Sequence, residues 1–193
     1  EAATDGDNSY DELQYVDEEF SAIQSVISST KVLRNQSFTE QSLSEELGDT
    51  PYTVLHMATH AQFGIDPEDT FLVTGQGEKL TFGEMDRLIR RVSSNSDPIE
   101  LLALTACETA VGDDRAALGI GGVVIRAGAK SAIASLWSIN DAVTAQISGQ
   151  FYENLVNHQM GKAKALQAAQ INMIKAGVRP SGWSPLILDG SWQ

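Results

Sequence analysis

The sequence predicts an α/β fold, in which a mostly parallel sheet is flanked by helices. Short apolar segments rich in β-branched residues alternate along the chain with amphipathic segments whose apolar residues recur every three or four positions. The apolar segments have the composition of strands buried on both faces, and the others have the length of crossover helices. Because crossovers between parallel strands are right-handed, this alternation predicts helices on both faces of one sheet.

The first half of the chain predicts helices, a buried strand and a hairpin. Thr81 and Glu84 have the spacing of a capping box, which predicts the start of a helix directly after the hairpin. In chain order we predict a helix at 15–27, a short strand at 31–33, a helix at 38–47 and a buried strand at 53–59. Two extended pieces around a Gly-rich turn follow at 71–82, and a helix at 81–93.

The second half continues the alternation without an internal repeat. We predict a buried strand at 99–106, a Gly-rich helix at 118–127 and a strand at 130–137. Two helices follow at 141–157 and 162–176, and a last strand at 185–188. Gly119, Gly121 and Gly122 match neither common phosphate-binding pattern, and close packing of a helix on the sheet explains them better. A flavodoxin-like nucleotide or phosphate binder is kept as an alternative.

Composition favours a single domain, which we place at residues 13–193. With 193 residues and 42% hydrophobic residues, the chain is long enough to close a core. Residues 1–12 are polar and acidic, and we expect a disordered lead-in without a chemical role. The formal net charge is -13 and the densest basic cluster is Arg87, Arg90 and Arg91, so no nucleic-acid partner is expected.

The chain has no feature of a membrane or secreted protein. No apolar run approaches the ~18 to 20 residues of a transmembrane helix, and the N-terminus lacks the layout of a signal peptide. The single cysteine excludes an internal disulfide and a Cys-rich zinc site. We therefore expect a cytoplasmic protein with no membrane partner. The chain begins at Glu1 without a methionine, so we expect a piece of a longer protein.

A histidine and a cysteine each come directly after a predicted buried strand. His60 follows the strand at 53–59, and Cys107 follows the strand at 99–106. Functional groups gather at the carboxyl ends of parallel strands, so neighbouring strands would bring the imidazole and the thiol together. An imidazole beside a thiol raises the thiolate fraction at neutral pH, and the thiolate is the nucleophile. This pairing predicts a cysteine-peptidase type of site. On composition alone, Cys107 would be a buried structural thiol.

Five segments then follow one another in one order. They are LHMATHAQF at 55–63, LTACETA at 104–110, IRAGAKSAIASLWSINDA at 125–142, FYENL at 151–155 and WSPLILDG at 183–190. Together they resemble the CHAT peptidase family over roughly residues 13–190. Its domains are caspase-like, common in bacteria and often found beside tetratricopeptide repeats. The resemblance implies a caspase-like three-layer sandwich.

The resemblance also implies roles for residues of this chain. His60 stands at the catalytic histidine, as general base or acid, and Cys107 at the nucleophile. The backbone N–H groups of Ala61 and Cys107 would form the oxyanion hole. The implied activity is hydrolysis of peptide bonds in protein substrates, without a metal or an organic cofactor. Tetratricopeptide-repeat or other regulatory domains of a longer protein are the implied partners.

Two departures from the family bear on activity. Ala61 stands where the family usually has Gly, and an alanine would be strained if the site required a positive φ there. The family also normally has additional sequence before the segment that resembles 13–23, so we expect the domain to lack its N-terminal portion. These departures motivate the alternative of a catalytically inactive caspase-like module that binds partners.

The remaining candidate residues lie close to the proposed pair. Asp141, Thr105 and Trp137 are candidates for the substrate pocket. Asp141 is slightly better explained as an N-cap or first-turn charge of its helix. Thr105 stands where some relatives specific for basic residues carry an acid. Trp137 is expected to fill the core, as is Trp183. Two residues are expected to support the site: His56 from the same strand face, and Glu108 beside the nucleophile. His56 lacks the HExxH context of a zinc ligand.

Overall fold

The computed structural model describes residue 10 and residues 13–62, 70–95, 98–105, 107–108, 125, 127–137 and 139–193. Within this part of the chain the α-helices are α1 (Val16–Val26), α2 (Glu40–Asp49), α3 (Phe82–Asn95), α4 (Asp141–Val156), α5 (Lys162–Lys175) and α6 (Pro180–Trp183). The strands are β1 (Val54–Met57), β2 (His60–Gln62), β3 (Phe71–Val73), β4 (Lys79–Thr81), β5 (Leu101–Leu104), β6 (Cys107–Glu108), β7 (Ser131–Ser135) and β8 (Leu186–Gly190).

The central sheet has the strand order β1-β5-β7-β8. Strands β1, β5 and β7 are parallel to one another, and β8 runs antiparallel to β7. Every residue of β5 and β7 is buried, as the continuous apolar composition of both segments predicts. The sheet is therefore mostly parallel, with an antiparallel strand beside β7.

Helices cover both faces of this sheet. Alternate residues of β5 point to opposite faces, so Leu102 and Leu104 pack with α2 and α3, whereas Leu101 and Ala103 pack with α1, α4 and α5. Each face has its own apolar core, one built around Ile89 and the other around Ile147. The result is a three-layer α/β sandwich of the caspase-like type, which confirms the predicted fold class.

Most of the predicted elements are present at nearly the predicted positions. Leu88, Ile89 and Val92 are buried along α3, as their spacing predicts. At the start of α3 the Glu84 carboxylate accepts hydrogen bonds from the backbone N–H and the hydroxyl of Thr81, both at 2.7 Å. These hydrogen bonds lower the pKa of Glu84. The capping spacing in the sequence therefore marks the true start of the helix.

The short strand predicted at residues 31–33 is wrong. Residues 31–33 are irregular and line a cavity of ≈ 210 Å³ between α1, α2 and β1. The side chain of Lys31 instead forms an ion pair with Glu46 of α2 at 2.7 Å. Local composition allowed a strand here, but among the described residues neither sheet includes this segment.

Part of the predicted Gly-rich helix lies outside the described residues. Of residues 118–127 the structure describes 125 and 127, so the prediction that Gly119, Gly121 and Gly122 pack against the sheet is not tested. The predicted disorder of the lead-in falls on residues 1–12, of which only Tyr10 is described. In the described part of the chain, no helix combines the length and the apolarity needed to cross a membrane.

Candidate active site

The strands β1 and β5, which precede the candidate residues, are neighbours. Their pairing resumes in the same register in the short strands β2 and β6. Met57 pairs with Leu104 at the end of the β1–β5 ladder, and His60 then pairs with Cys107 in the parallel β2–β6 ladder. Both pairs have the same offset in sequence, so β2 and β6 prolong β1 and β5 after a short break. The backbones of His60 and Cys107 are therefore direct neighbours, at the separation of about 4.8 Å that adjacent strands keep.

A second small sheet holds this end of the ladder. Its strand order is β4-β3-β2-β6, and β2 lies between the antiparallel strand β3 and the parallel strand β6. Just before β2, the buried hydroxyl of Thr59 donates a hydrogen bond to the backbone carbonyl of Val73 at 2.6 Å. His60 thus lies in a short strand that is fixed on both sides, rather than in a free loop.

Ala61 has an ordinary strand backbone. It pairs with Leu72 of β3 and with Glu108 of β6, and φ is positive at the non-glycine residues Asn35 and Gln159 but not at Ala61. Its side chain is 0% exposed. The alanine that stands in place of the usual glycine is therefore unstrained in this conformation.

We expect Ala61→Gly to lower stability without raising the reactivity of Cys107. The substitution removes a buried methyl group and adds backbone freedom, which together cost about 1 to 2 kcal/mol of the free energy of unfolding. Urea unfolding and the rate of alkylation of Cys107 by iodoacetamide measure the two effects. Ala134→Gly, at a buried alanine of β7, is the matched control. Faster alkylation in Ala61→Gly alone would mean that the alanine restricts the site.

An aromatic ring from the N-terminal segment lies on the candidate histidine. The rings of Tyr10 and His60 are stacked, with 5.1 Å between the ring centroids and an angle of 26° between the planes. Tyr10 is partly buried, although it belongs to the segment for which we expected no chemical role. The acidic lead-in therefore supplies one contact to the site.

His56 is the centre of a buried polar network at the strand ends that precede His60 and Cys107. Its Nε2 lies 3.0 Å from the Glu19 carboxylate of α1 and 3.3 Å from the Thr105 hydroxyl, and its Nδ1 lies 3.1 Å from the Tyr152 hydroxyl of α4. An N–H on Nε2 donates to the Glu19 carboxylate, which as an anion can only accept. The network connects α1 and α4 to the ends of β1 and β5.

The network keeps Glu19 ionised although its side chain is only 1% exposed. Burial acts to raise the pKa of Glu19, but hydrogen bonds from His56, Ser148 and Thr105 and the attraction of His56 outweigh it, so the net pKa is lowered. Burial and the nearby Glu19 charge raise the pKa of Tyr152, which keeps its hydroxyl protonated. His56 therefore links α1 and α4 to the ends of β1 and β5, and its predicted supporting role in catalysis stays a prediction.

The three candidates for the substrate pocket lie in different surroundings. Thr105 is buried, and its hydroxyl contacts His56 Nε2 and the Met57 carbonyl. Asp141 is the first residue of α4, behind the capping residue Asn140, and its carboxylate accepts a hydrogen bond of 2.7 Å from the backbone N–H of Tyr15. Both polar groups are therefore already engaged with this chain.

The expectation that Trp137 fills the core is wrong. Trp137 is 38% exposed, and its indole N–H donates a hydrogen bond to the backbone carbonyl of Ser181 at 3.2 Å. Trp137 follows β7 at the end of the sheet where His60 and Cys107 lie, in the segment between β7 and α4. Trp183 does pack against the core of the α1, α4 and α5 face.

For Cys107 and Glu108 the structure describes the backbone in β6 alone, and the supporting role predicted for Glu108 is not tested. Within the described residues, no three His, Cys, Asp or Glu side chains are grouped so as to hold a metal ion.

Glu19, Tyr152 and Tyr10 were not predicted from the sequence. Glu19 is three residues after Val16 and four before Ile23, so it shares the apolar stripe of α1. A lone acid on such a stripe marks a buried, paired carboxylate. Tyr152 has a similar mark, since it directly follows the buried Phe151. Tyr10 is the only aromatic residue among the first twelve, which is too weak a mark to assign it a contact.

Comparison with known proteins identifies the family. A family model described as the CHAT domain matches residues 2–191, nearly the whole chain. No curated protein matches it. The match agrees with the three-layer sandwich and with the order of the five segments. The chain therefore belongs to the CHAT domain family, whose members are generally caspase-like.

Proposed function

We propose that this domain is a cysteine endopeptidase that hydrolyses peptide bonds in protein substrates, with Cys107 as the nucleophile and His60 as the general base and acid. The observation that carries the proposal is the register of β2 and β6, in which His60 pairs directly with Cys107. One strand spacing between the two backbones is short enough for an imidazole and a thiol to exchange a proton.

The proposed reaction begins with transfer of the thiol proton to the imidazole of His60. The thiolate attacks the carbonyl carbon of the scissile bond and forms a tetrahedral oxyanion, which backbone N–H groups near Ala61 and Cys107 would stabilise. The imidazolium then gives its proton to the leaving amine as the C–N bond breaks. Water, deprotonated by His60, hydrolyses the thioester and restores the thiol.

The substrate pocket is proposed with Trp137 as its main wall. Its exposed indole lies after β7, at the sheet end where the dyad lies, and is therefore accessible to a side chain of the substrate. Thr105 and Asp141 stay candidates, but their hydrogen bonds to His56 and to the Tyr15 backbone must break before either contacts a substrate. An aromatic wall favours substrates with an apolar or long aliphatic side chain at this position.

We further propose that the domain works in the cytoplasm under the control of other domains of a longer protein, such as tetratricopeptide repeats. A reducing compartment keeps a free thiol nucleophile in its reduced form, and a peptidase among the proteins of the cytoplasm requires control. The proposed reaction uses no metal and no organic cofactor.

Labelling tests the proposal directly, because Cys107 is the single cysteine of the chain. We expect iodoacetamide to modify the native protein at neutral pH about tenfold faster than a model thiol, since a free thiol is only a few per cent ionised there. We also expect the protein to cleave a peptide library, and Cys107→Ala, the matched control, to cleave none of it. Labelling no faster than a model thiol, without cleavage, would favour the inactive scaffold instead.

A further inference from the structure

We infer that Tyr10 is a positioning residue for His60: its ring holds one face of the imidazole and stabilises the imidazolium that forms when the thiol of Cys107 ionises. The inference rests on the proposed function, because it assigns Tyr10 a part in the same proton transfer. It starts from the stacking of the two rings, with centroids 5.1 Å apart and planes at 26°.

The geometry favours a positioning role over a blocking role. An imidazole exchanges protons through its nitrogen atoms, whose lone pairs and N–H bonds lie in the ring plane. A ring that stacks on the face leaves this plane open, whereas a ring that met the edge of the imidazole would compete with the thiol. Tyr10 therefore restricts rotation of the His60 ring without occupying the path of the proton.

His56 shows how this chain holds a histidine that has a structural role. The rings of Phe20 and Tyr152 meet the His56 ring at steep angles of 80° and 65°. The Nδ1 of His56 is hydrogen-bonded to the Tyr152 hydroxyl, and its Nε2 to the Glu19 carboxylate. The contact on His60 is of another kind, because the aromatic ring lies nearly parallel to the imidazole. This is the arrangement in which the negative face of an aromatic ring attracts a cation.

The stacked contact predicts a modest effect with a defined pH dependence. An aromatic face within about 6 Å of a cation at a partly exposed site changes an equilibrium by roughly two- to fivefold. Removing the ring should therefore lower the thiolate–imidazolium population, and hence the alkylation rate of Cys107, by about that factor near neutral pH. Near pH ~10 the thiol ionises without help from an imidazolium, so the rates should converge.

The test compares Tyr10→Ala, Tyr10→Phe and Tyr15→Ala in the full chain. We expect Tyr10→Ala to alkylate roughly two- to fivefold more slowly near neutral pH, and Tyr10→Phe to keep the rate of the unchanged protein, since phenylalanine keeps the ring face. Tyr15 is the control, an exposed tyrosine five residues further along the same segment. Iodoacetamide is the probe, and the rates are measured from neutral pH to about pH 10.

NMR of the imidazole protons gives a second readout that does not depend on reactivity. The chain has three histidines, and loss of one signal in His60→Ala assigns the resonance of interest. A stacked tyrosine shifts the ring protons of His60 to lower frequency. We expect Tyr10→Ala to abolish this shift, and Tyr10→Phe and Tyr15→Ala to preserve it.

Each outcome separates the inference from the proposed function. A reactive Cys107 whose rate is unchanged in Tyr10→Ala overturns the inference alone, and a faster rate shows that Tyr10 blocks the site. Slowing of Tyr10→Ala by the same factor at every pH also overturns the inference, because a purely structural effect on the rate would behave in this way. A His60 signal that keeps its frequency in Tyr10→Ala overturns it as well, because the ring of Tyr10 would then not be stacked on His60. A Cys107 as slow as a model thiol in the unchanged protein removes the proposed function, and the inference with it.

Discussion

Replacing His60 with alanine is expected to lower peptide cleavage by about 10²- to 10⁴-fold, the range that general acid–base catalysis contributes. In the proposed mechanism the imidazole of His60 accepts the thiol proton and protonates the leaving amine, so its removal takes away both functions. We expect the rate of alkylation at neutral pH to fall to that of a model thiol. Cleavage of a peptide identified from the library and alkylation by iodoacetamide measure the two steps.

His158→Ala is the matched control for this substitution. His158 is exposed, just after the end of α4 and outside both ladders of the site, so its removal should change neither rate. Equal unfolding curves for His60→Ala and the unchanged protein would show that the loss is chemical. Cleavage within threefold of the unchanged protein, in the absence of His60, would contradict the dyad.

Replacing Glu19 with alanine is expected to cost about 3 to 5 kcal/mol of the free energy of unfolding, which is the usual result of breaking a buried pair. The substitution leaves Nε2 of His56 and the hydroxyl of Thr105 facing a cavity inside the protein. Urea unfolding monitored by circular dichroism measures the loss. Glu18→Ala, at the exposed neighbour on α1, should change the free energy by less than about 0.5 kcal/mol.

The same carboxylate gives stability an acid dependence of known sign. The pKa of Glu19 is lower in the folded protein than its ordinary value of 4.5, so the folded state binds fewer protons than the unfolded state as pH falls. The stabilisation is complete above that ordinary value and is lost as pH falls through the folded pKa. We therefore expect the stability of the unchanged protein to fall more steeply below pH 4.5 than that of Glu19→Gln.

The isosteric amide separates charge from packing in this experiment. Glu19→Gln keeps the volume of the side chain and an oxygen that accepts from His56, but it does not titrate. Glu18→Gln should lose stability in acid as steeply as the unchanged protein, because Glu18 is exposed. If the free energy of unfolding falls equally steeply with decreasing pH in Glu19→Gln and in the unchanged protein, the buried carboxylate does not control stability in acid.

The sequence by itself determined most elements of the fold and placed His60 and Cys107, the candidate residues of the proposed site, directly after two buried strands. Strands β5 and β7 are marked by continuous apolar composition and helix α3 by its capping spacing, because both depend on contacts within a few residues. The placement of His60 and Cys107 after two buried strands has the same local origin. The ordered segments predicted the family, and the family model confirms it.

Only the tertiary structure decided how the ends of these strands are held. Glu19 contacts His56 across 37 positions of the chain and Tyr10 stacks on His60 across 50, and no local pattern predicts contacts over such separations. The same holds for the strand predicted at 31–33, which has suitable composition but belongs to neither sheet of the described part of the chain. Burial and pairing depend on which distant residues the fold brings together. The lead-in, for which the sequence predicted no chemical role, therefore contributes the ring that lies on the candidate histidine.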